Sequence, residues 1–354
     1  MVTLAIIGLN NHYHVIPMAA LVRDGLVDAT IAGVFDQRDG YAAPFAAEYG
    51  IENVFDSRDA LLADPRIDAV IVMSDTASHH GDVLAAVAAG KSVLIDKPLS
   101  ITEAQGREMV HAADAAGVDI MVAFHIRFAP AYLRAKQLLD EGVIGTPLSM
   151  RIAIRVPLEY VKNSPTDAAP GWYAEPTLAG GGGFLDHAVH YVDAFRFLLG
   201  SEAAAVTAVI GNLAHADLAV DDYGVAVVTT DANQVITIES TWHAPGWYAP
   251  QSSPEECVIV GTTGELVLRY HGEPQLEYVG PGSGGRVRED WQGDERGAIA
   301  YRRILEEFIA SVAEGRHPSG SSGADGLAAT RVIEAAYRAS ETGTSVVLQP
   351  ERDK

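Results

Sequence analysis

This sequence has few cysteines, an excess of acids over bases, and no long hydrophobic run. Its 354 residues include one cysteine, Cys257, which excludes an intramolecular disulfide or thiolate metal cluster and is typical of a reducing cytosol. Only 25 basic residues stand against 47 acidic ones, and the net charge of −22 disfavours nucleic acid and anionic membranes as partners. No apolar run reaches the roughly 18 residues of a membrane span, and the N terminus lacks the basic start of a signal peptide. We therefore expect a cytoplasmic protein with no nucleic-acid or membrane partner.

The first third of the chain alternates short apolar runs with helical stretches, which predicts an α/β domain with a buried parallel sheet. Val2 to Ile7 and Thr30 to Phe35 are predicted strands, and Val15 to Gly25 is a predicted helix between them. Further predicted helices are Ala42 to Tyr49, Ser57 to Ala63, Gly81 to Ala89 and Ser100 to Ala116, and further predicted strands are Ala69 to Met73, Val93 to Ile95 and Asp119 to Phe124.

The turn after the first predicted strand carries an altered dinucleotide fingerprint. Against G-x-G-x-x-G the chain offers Gly8-Leu9-Asn10-Asn11-His12-Tyr13, so only the first glycine is kept. Asn10 is predicted to make the tight turn, because asparagine tolerates left-handed backbone. Asp36, at the end of the second strand, is predicted to accept the adenosine ribose hydroxyls and to favour NAD. Arg38 leaves NADP open, because its guanidinium can hold a 2′-phosphate.

A glycine run in the middle of the chain leads into a predicted helix, Phe184 to Leu199. Asp186 and His190 are four residues apart, which places a carboxylate and an imidazole on one helical face. Such a pair suits acid/base chemistry, but on its own it is equally a turn followed by a helix with a buried histidine. Lys97 supports the first interpretation, because it follows a predicted parallel strand at the edge where ligands of open α/β sheets bind.

Several motifs in the right order resemble the Gfo/Idh/MocA oxidoreductases, the family of glucose–fructose oxidoreductase and inositol dehydrogenase. Asp96-Lys97-Pro98 is similar to the family's Glu-Lys-Pro, with Asp96 replacing the glutamate. Gly180 to His190 resembles its G-G-G-x-x-x-D-x-G-x-H signature, with Ala188 replacing the last glycine. The segments 124–130, 142–145 and 319–344 also resemble the family, whereas Ser74-Asp75-Thr76 departs from its usual Thr-Pro-Asn-like run.

The resemblance implies a catalytic trio of Lys97, Asp186 and His190. In the resembled family, the histidine takes the proton of a substrate hydroxyl while hydride leaves the same carbon for the nicotinamide. The expected cofactor is NAD, with NADP possible, and no metal is expected. The cofactor-binding residues implied are Gly8, Asn10, Asn11, Asp36, Arg38, Ser74, Asp75, His79, Asp96 and Lys97. The substrate-binding residues implied are Lys97, Arg127, Trp172, Asp186 and His190.

The second half of the chain changes to consecutive strand-like runs, which predicts an α+β domain with an open, mostly antiparallel sheet. The predicted strands are Ser149 to Val156, Ala204 to Asn212, Tyr223 to Thr230, Gln234 to Trp242, Glu256 to Gly261 and Gly264 to Tyr270. Gly280 to Arg288 is predicted to be a surface connection, and Tyr301 to Glu314 and Leu327 to Ser340 are predicted helices. We expect a Rossmann domain at 1–123 and a substrate-binding and oligomerisation domain at 124–354.

The leading functional hypothesis is a dehydrogenase acting on a secondary alcohol of a sugar, inositol or related polyol. The alternatives are a glycosidase or lyase that uses transient oxidation by NAD, and a non-catalytic ligand-sensing relative. The loops 157–179 and 243–254 are predicted to set substrate selectivity. The resemblance also implies a homodimer or homotetramer formed through the free face of the C-terminal sheet.

Overall fold

A computed structural model describes residues 1–162, 167–244, 255–270, 272–291 and 298–349, which form two compact units. Unit 1 comprises Met1–Phe124, Lys162–Gly180 and Tyr301–Thr330. Unit 2 comprises His125–Val161, Gly181–Ala300 and Arg331–Lys354. The chain thus returns to unit 1 twice after first leaving it. Residues 245–254 of the second predicted selectivity loop lie outside the described residues.

Unit 1 is built on a sheet of six parallel strands in the order β3-β2-β1-β4-β5-β6. Its strands are β1 Val2–Ile7, β2 Ala29–Phe35, β3 Asn53–Val54, β4 Ala69–Val72, β5 Ser92–Ile95 and β6 Ile120–Val122. The chain moves outward from β1 to β3 and then crosses to the other side at β4. This reversal creates a switch point between β1 and β4, the place where doubly wound sheets bind ligands at the carboxyl ends of their strands.

The helices within residues 1–124 are α1 His12–Arg23, α2 Ala42–Tyr49, α3 Arg58–Leu62, α4 Thr76–Ala88 and α5 Glu103–Ala116. Three of them, α3, α4 and α5, begin at a side-chain cap. The predicted start of α5 at Ser100 is wrong, because Thr102 and Gln105 form a capping box. The predicted start of α4 at Gly81 is also wrong, because the Asp75 side chain accepts a hydrogen bond from the Ser78 N–H and caps the helix five residues earlier.

Unit 2 is built on a nine-stranded sheet in the order β14-β13-β12-β11-β7-β10-β9-β8-β15. Its strands are β7 Pro147–Arg155, β8 Ala203–Gly211, β9 Tyr223–Thr230, β10 Val235–Thr241, β11 Glu256–Gly261, β12 Glu265–Leu268, β13 Leu276–Val279, β14 Val287–Glu289 and β15 Val346–Val347. Every described pairing is antiparallel except that between β7 and β10. The predicted fold class is confirmed. The surface connection predicted at Gly280 to Arg288 is wrong at its end, where β14 pairs with β13.

The remaining helices are α6 Pro130–Asp140, the single turn α7 Pro176–Ala179, α8 Gly183–Leu199, α9 Ala298–Glu314 and α10 Gly323–Thr342. Within unit 2, α8 packs on the inner face of the sheet, where Ile236 and Ile238 of β10 are buried. The outer face carries Val209, Val227 and Val235, which are 73%, 40% and 44% exposed in the single chain. In the described ranges, no helix combines the length and apolarity needed to cross a bilayer.

Candidate active site

In unit 1, the turn after β1 is held between the ends of two neighbouring strands. The Gly8 N–H donates to the carbonyl of Phe35 at 2.7 Å, and the Asn10 N–H donates to the carbonyl of Met73 at 2.8 Å. Gly8 has φ +81°, and a Cβ at this position would lie 2.4 Å from the Cα of Ser74. The position therefore requires glycine. The prediction that Asn10 takes up left-handed backbone is wrong, because Asn10 is not among the described non-glycine residues with positive φ.

Asp96 joins this turn to the end of β5. Its carboxylate accepts a hydrogen bond from the Asn11 side-chain amide at 2.6 Å and lies 2.6 Å from Nδ1 of His14. Burial by itself would raise the pKa of Asp96, but the charge and hydrogen bond of His14, together with nearby Lys97, hold it below its usual value. The ionised carboxylate thus orients the His14 ring and stands directly before Lys97, which is buried.

His14 is a residue of this edge that the predicted site residues did not include. The one signal for it is that Asp96 is shorter than the glutamate of the resembled motif, so its partners must approach more closely.

Asp36 is enclosed by the protein at the carboxyl end of β2. Its Oδ2 accepts hydrogen bonds from the Leu9 N–H at 2.6 Å and from Nη2 of Arg38 at 2.9 Å. Its Oδ1 accepts from the backbone N–H and from Nε of Arg38, at 2.8 and 2.9 Å. The Arg38 guanidinium lies over the ring of Tyr41, 3.9 Å from its centroid, and the Tyr41 hydroxyl donates to Asp167 at 3.1 Å. Asp36 and Arg38 therefore act as one hydrogen-bonded group.

Three other predicted cofactor residues make internal contacts. The Ser74 hydroxyl donates to Asp82 at 2.6 Å, and Asp75 caps α4. The ring of His79 is fully buried, with one nitrogen 2.9 Å from the carbonyl of Pro98 and the other 3.1 Å from the carbonyl of Ser74. These side chains fix the loops after β4 and β5.

Trp172 lies in unit 1, although it is far from the first domain in sequence. Its indole N–H donates to the carbonyl of Asn10 at 3.0 Å, and its ring stacks on Tyr173 with centroids 4.1 Å apart. Trp172, which was predicted to contact substrate, therefore bonds to the altered fingerprint turn and holds its backbone in place.

In unit 2, the glycine run allows the start of α8 to pack against the backbone before β9. A Cβ on Gly182 would lie 2.0 Å from the carbonyl oxygen of Asp221, and a Cβ on Gly183 would lie 2.7 Å from that of the next residue. The Asp221 carboxylate caps the helix, accepting from the N–H groups of Gly182 and Phe184 at 3.0 and 2.7 Å, and from the hydroxyl of Tyr337 at 2.7 Å. Burial raises the pKa of Asp221, and these hydrogen bonds oppose that rise. The glycines thus make room for a capping carboxylate from elsewhere in the chain.

Asp186 and His190 lie one turn apart on α8, and both are buried. The indole N–H of Trp242 donates to Oδ2 of Asp186 at 3.0 Å, and Nδ1 of His187 lies 3.2 Å from the same oxygen. Trp242 is 1% exposed and an indole can only donate, so Oδ2 of Asp186 is the acceptor in this contact. The predicted pair is therefore fixed on one helix with its carboxylate held as an acceptor.

The segment before α6 contributes a histidine and an arginine to the surroundings of α8. The His125 ring meets the His190 ring edge-on, with centroids 4.7 Å apart, and sequence reasoning did not single it out. Arg127, predicted to bind substrate, forms a two-pronged ion pair with Asp193, whose side chain is fully buried; Nε and Oδ2 are 2.8 Å apart, and Nη2 also contacts Oδ1. The guanidinium anchors this segment to α8, and the pair explains why a carboxylate at Asp193 is buried.

Glu255 is a second buried carboxyl of unit 2 that the sequence pattern did not reveal. It is 3% exposed and lies directly before β11, and the Tyr132 hydroxyl donates to its Oε1 at 2.9 Å. Burial raises the pKa of Glu255 to about 7, although the hydrogen bond from Tyr132 and the nearby Tyr191 hydroxyl lower it. Glu255 lies directly before an apolar strand, and nothing in the sequence around it indicates that its carboxyl is buried.

Comparisons with known proteins agree across nearly the whole chain. Residues 2–124 match the model described as "Oxidoreductase family, NAD-binding Rossmann fold", and residues 132–267 match the "GFO/IDH/MocA C-terminal domain". An inositol 2-dehydrogenase of Acidothermus cellulolyticus is 32% identical over 324 residues, which cover 91% of this chain and 88% of the relative. A 1,5-anhydro-D-fructose reductase of Ensifer adhaerens is 28% identical over 309 residues, covering 87% of each chain.

Solved structures share the fold. A levoglucosan dehydrogenase in complex with NADH superposes with a TM-score of 0.85 at 24% identity, covering 98% of this chain and 99% of the other. GenD2 from gentamicin A biosynthesis, solved in complex with NAD, superposes with a TM-score of 0.81 at 25% identity, covering 98% and 96%.

Proposed function

Because this chain belongs to the Gfo/Idh/MocA oxidoreductase family, we propose that it oxidises a secondary alcohol of a sugar, inositol or related polyol, or reduces the matching ketone. It is an NAD-dependent oxidoreductase of polyols or sugars. The observation that carries the finer proposal is the pair on α8, Asp186 and His190, with the carboxylate held by the indole of Trp242. A dehydrogenase needs such a pair, because an alcohol carbon that loses hydride must also lose its hydroxyl proton.

The residues of unit 1 fit a nicotinamide dinucleotide. Gly8 is a position where no side chain can stand, so a pyrophosphate can come close to the backbone of the turn at the start of α1. Nη1 of Arg38 is a buried donor for which no acceptor is found among the described residues. We propose that the fingerprint turn holds the pyrophosphate, that the Asp36–Arg38 group meets the adenosine ribose, and that Lys97 stands beside the nicotinamide.

We propose distinct roles for the three catalytic residues. NAD, when bound, supplies the nicotinamide C4 that accepts the hydride. The imidazole of His190 accepts the proton of the substrate hydroxyl, and the Lys97 ammonium donates a hydrogen bond to the same oxygen as it becomes a carbonyl. The Asp186 carboxylate, held by the indole of Trp242, accepts a hydrogen bond that orients a substrate hydroxyl or the imidazole.

The test is a screen of polyols, sugars and sugar acids for NAD reduction, followed by variants. We expect His190→Ala and Lys97→Ala to abolish turnover while NAD affinity, measured by calorimetry, stays near that of the wild type. His317, whose side chain is 94% exposed, is the control, and His317→Ala should keep full activity. Full activity in either site variant would refute the assigned roles. Product release without net NADH would instead favour a glycosidase or lyase, which the dehydrogenase and reductase names of the relatives do not favour.

We also propose that the protein forms a homodimer or homotetramer through the outer face of the unit 2 sheet. Exposed valines on β8, β9 and β10 make this face apolar, and Arg155 and Glu239, 2.9 Å apart, supply charges that a second copy can meet. Analytical ultracentrifugation should give a dimer or tetramer, and Val209→Asp with Val227→Asp should give a monomer. A wild-type monomer at micromolar concentration would refute this interface.

A further inference from the structure

The carboxylate at the end of β2 has its hydrogen-bonding capacity filled by the protein. An ionised carboxylate offers about four acceptor positions. Those of Asp36 receive the Leu9 N–H and three donors of Arg38. The Asp36 side chain is 0% exposed, whereas that of Arg38 is 22% exposed. Of these two side chains, only that of Arg38 therefore reaches solvent at this strand end.

Arg38 is held in a fixed position by contacts on two sides. Its Nε and Nη2 bind Asp36, and its plane lies over the ring of Tyr41, which is itself tied to Asp167. Its Nη1 is buried and has no acceptor among the described residues. A buried donor without a partner costs free energy, so such a group in a native protein indicates a ligand or solvent acceptor. A planar guanidinium already ordered by its neighbours binds oxygen anions well.

We propose that Arg38, rather than Asp36, meets the 2′ position of the adenosine ribose, and that the chain binds NADP as well as NAD. This inference rests on the proposed function, because it requires a nicotinamide dinucleotide at this edge of the sheet. Nη1 can donate to a ribose hydroxyl oxygen or to a 2′-phosphate. The Asp36 charge that would repel the phosphate is neutralised by two hydrogen bonds to the same guanidinium. Asp36 then serves as a positioning residue for Arg38.

A matched control exists in the same unit. Arg66 follows Asp64 with the same spacing, and its backbone N–H, Nε and Nη2 all bond to that carboxylate, at 2.9, 3.1 and 2.6 Å. The pair is an Asp-x-Arg clamp like the first, but it lies between α3 and β4 and not at the carboxyl end of a strand. Removing Arg66 therefore reproduces the loss of a clamp without touching the cofactor edge.

The experiment is calorimetric titration of the wild type, Arg38→Ala and Arg66→Ala with NAD and with NADP, in the absence of substrate. We expect wild-type dissociation constants for the two cofactors within about 10-fold of each other. Loss of a charge-assisted bond should weaken NADP by about 10- to 100-fold in Arg38→Ala. NAD binding should change much less, because Asp36 can then accept the ribose hydroxyls. Arg66→Ala should leave both constants unchanged.

Four outcomes would overturn the inference. One is a wild type that NADP does not bind at concentrations where NAD saturates it. Another is an Arg38→Ala variant that loses NAD and NADP equally, which would make Arg38 only a structural clamp. If Arg38→Ala does not fold, Arg38→Lys is used instead, because it keeps the charge but lacks the planar guanidinium. An NADP affinity of Arg38→Lys equal to that of the wild type would contradict a role for Nη1. A wild type that does not bind NAD would refute the proposed function itself, and the inference would fall with it.

Discussion

Glu255 provides a sharp test of the packing inside unit 2. The carboxyl accepts a hydrogen bond from Tyr132, lies near the Tyr191 hydroxyl and the buried thiol of Cys257, and is cut off from solvent. Glu255→Gln keeps the size of the side chain and its carbonyl acceptor but cannot ionise. We expect the substitution to remove one specific pH dependence of stability.

The size and direction of the effect follow from linkage between protonation and folding. The pKa of Glu255 is raised from an ordinary 4.5, which applies to the unfolded chain, to about 7 in the folded chain. Between these values the folded chain keeps a proton that the unfolded chain has released, so stability falls as the pH rises. At about 1.4 kcal/mol per pH unit, this group lowers the free energy of unfolding by about 2.5 kcal/mol from about pH 5 to about pH 8. The full contribution is present below the unfolded pKa and is lost once the pH passes the folded one.

The assay is urea unfolding of wild type and Glu255→Gln at several pH values, with the difference between the two proteins plotted against pH. Subtraction removes the titration of the other carboxylates, which both proteins share. Neighbouring Glu256, whose side chain is 43% exposed and paired with Arg269, is the control; Glu256→Gln should give a difference that varies little over this range. A difference for Glu255→Gln that also stays constant from about pH 5 to about pH 8 would refute the buried, protonated carboxyl.

Two other predictions concern the partners of α8. Trp242→Phe removes the donor to Asp186 and keeps most of the buried ring, so we expect turnover to fall about 10-fold with little change in NAD affinity. In steady-state assays, the same substitution should cause no further loss of turnover in an Asp186→Asn background. Fully additive losses would show that Trp242 acts elsewhere. Tyr337→Phe removes a hydroxyl that donates to Asp221, and we expect the free energy of unfolding in urea to fall by about 2 kcal/mol; an equal fall in an Asp221→Asn background would mean that the two groups do not act as a pair.

The parts of the fold that the sequence predicted are those that depend on local pattern. Apolar runs such as Val2–Ile7 and Ala69–Val72 are buried on both faces, so composition alone marks them as strands of a parallel sheet. Helix starts were missed by several residues where a capping side chain, such as Asp75, begins the helix before its apolar face does. The last strands of unit 2 were missed because β14 has three residues, too few for a period to be seen.

Individual site residues were harder to interpret, because their partners lie far away in sequence. The sequence suggests that Arg127 is available to bind a substrate, but in the structure it is paired with Asp193, which lies 66 positions later. His79 reads as a ligand until both of its ring nitrogens are seen against backbone carbonyls. The sequence predicts that Asp36 accepts ribose hydroxyls, but its carboxylate already accepts hydrogen bonds from the nearby Arg38 guanidinium. In each case the residue type indicated the chemistry, and only the three-dimensional packing showed what the side chain already bonds.

The cap on α8 has a consequence for engineering this chain. The helix that bears Asp186 and His190 starts on a carboxylate from the 220–222 segment, and that carboxylate is steadied by a tyrosine of α10. A chimera that takes its C-terminal helix from a relative without that tyrosine would shift the start of α8, even if every residue near the substrate were retained. Segments 180–190, 220–222 and the middle of α10 therefore form one inheritable block, to be exchanged together or left together.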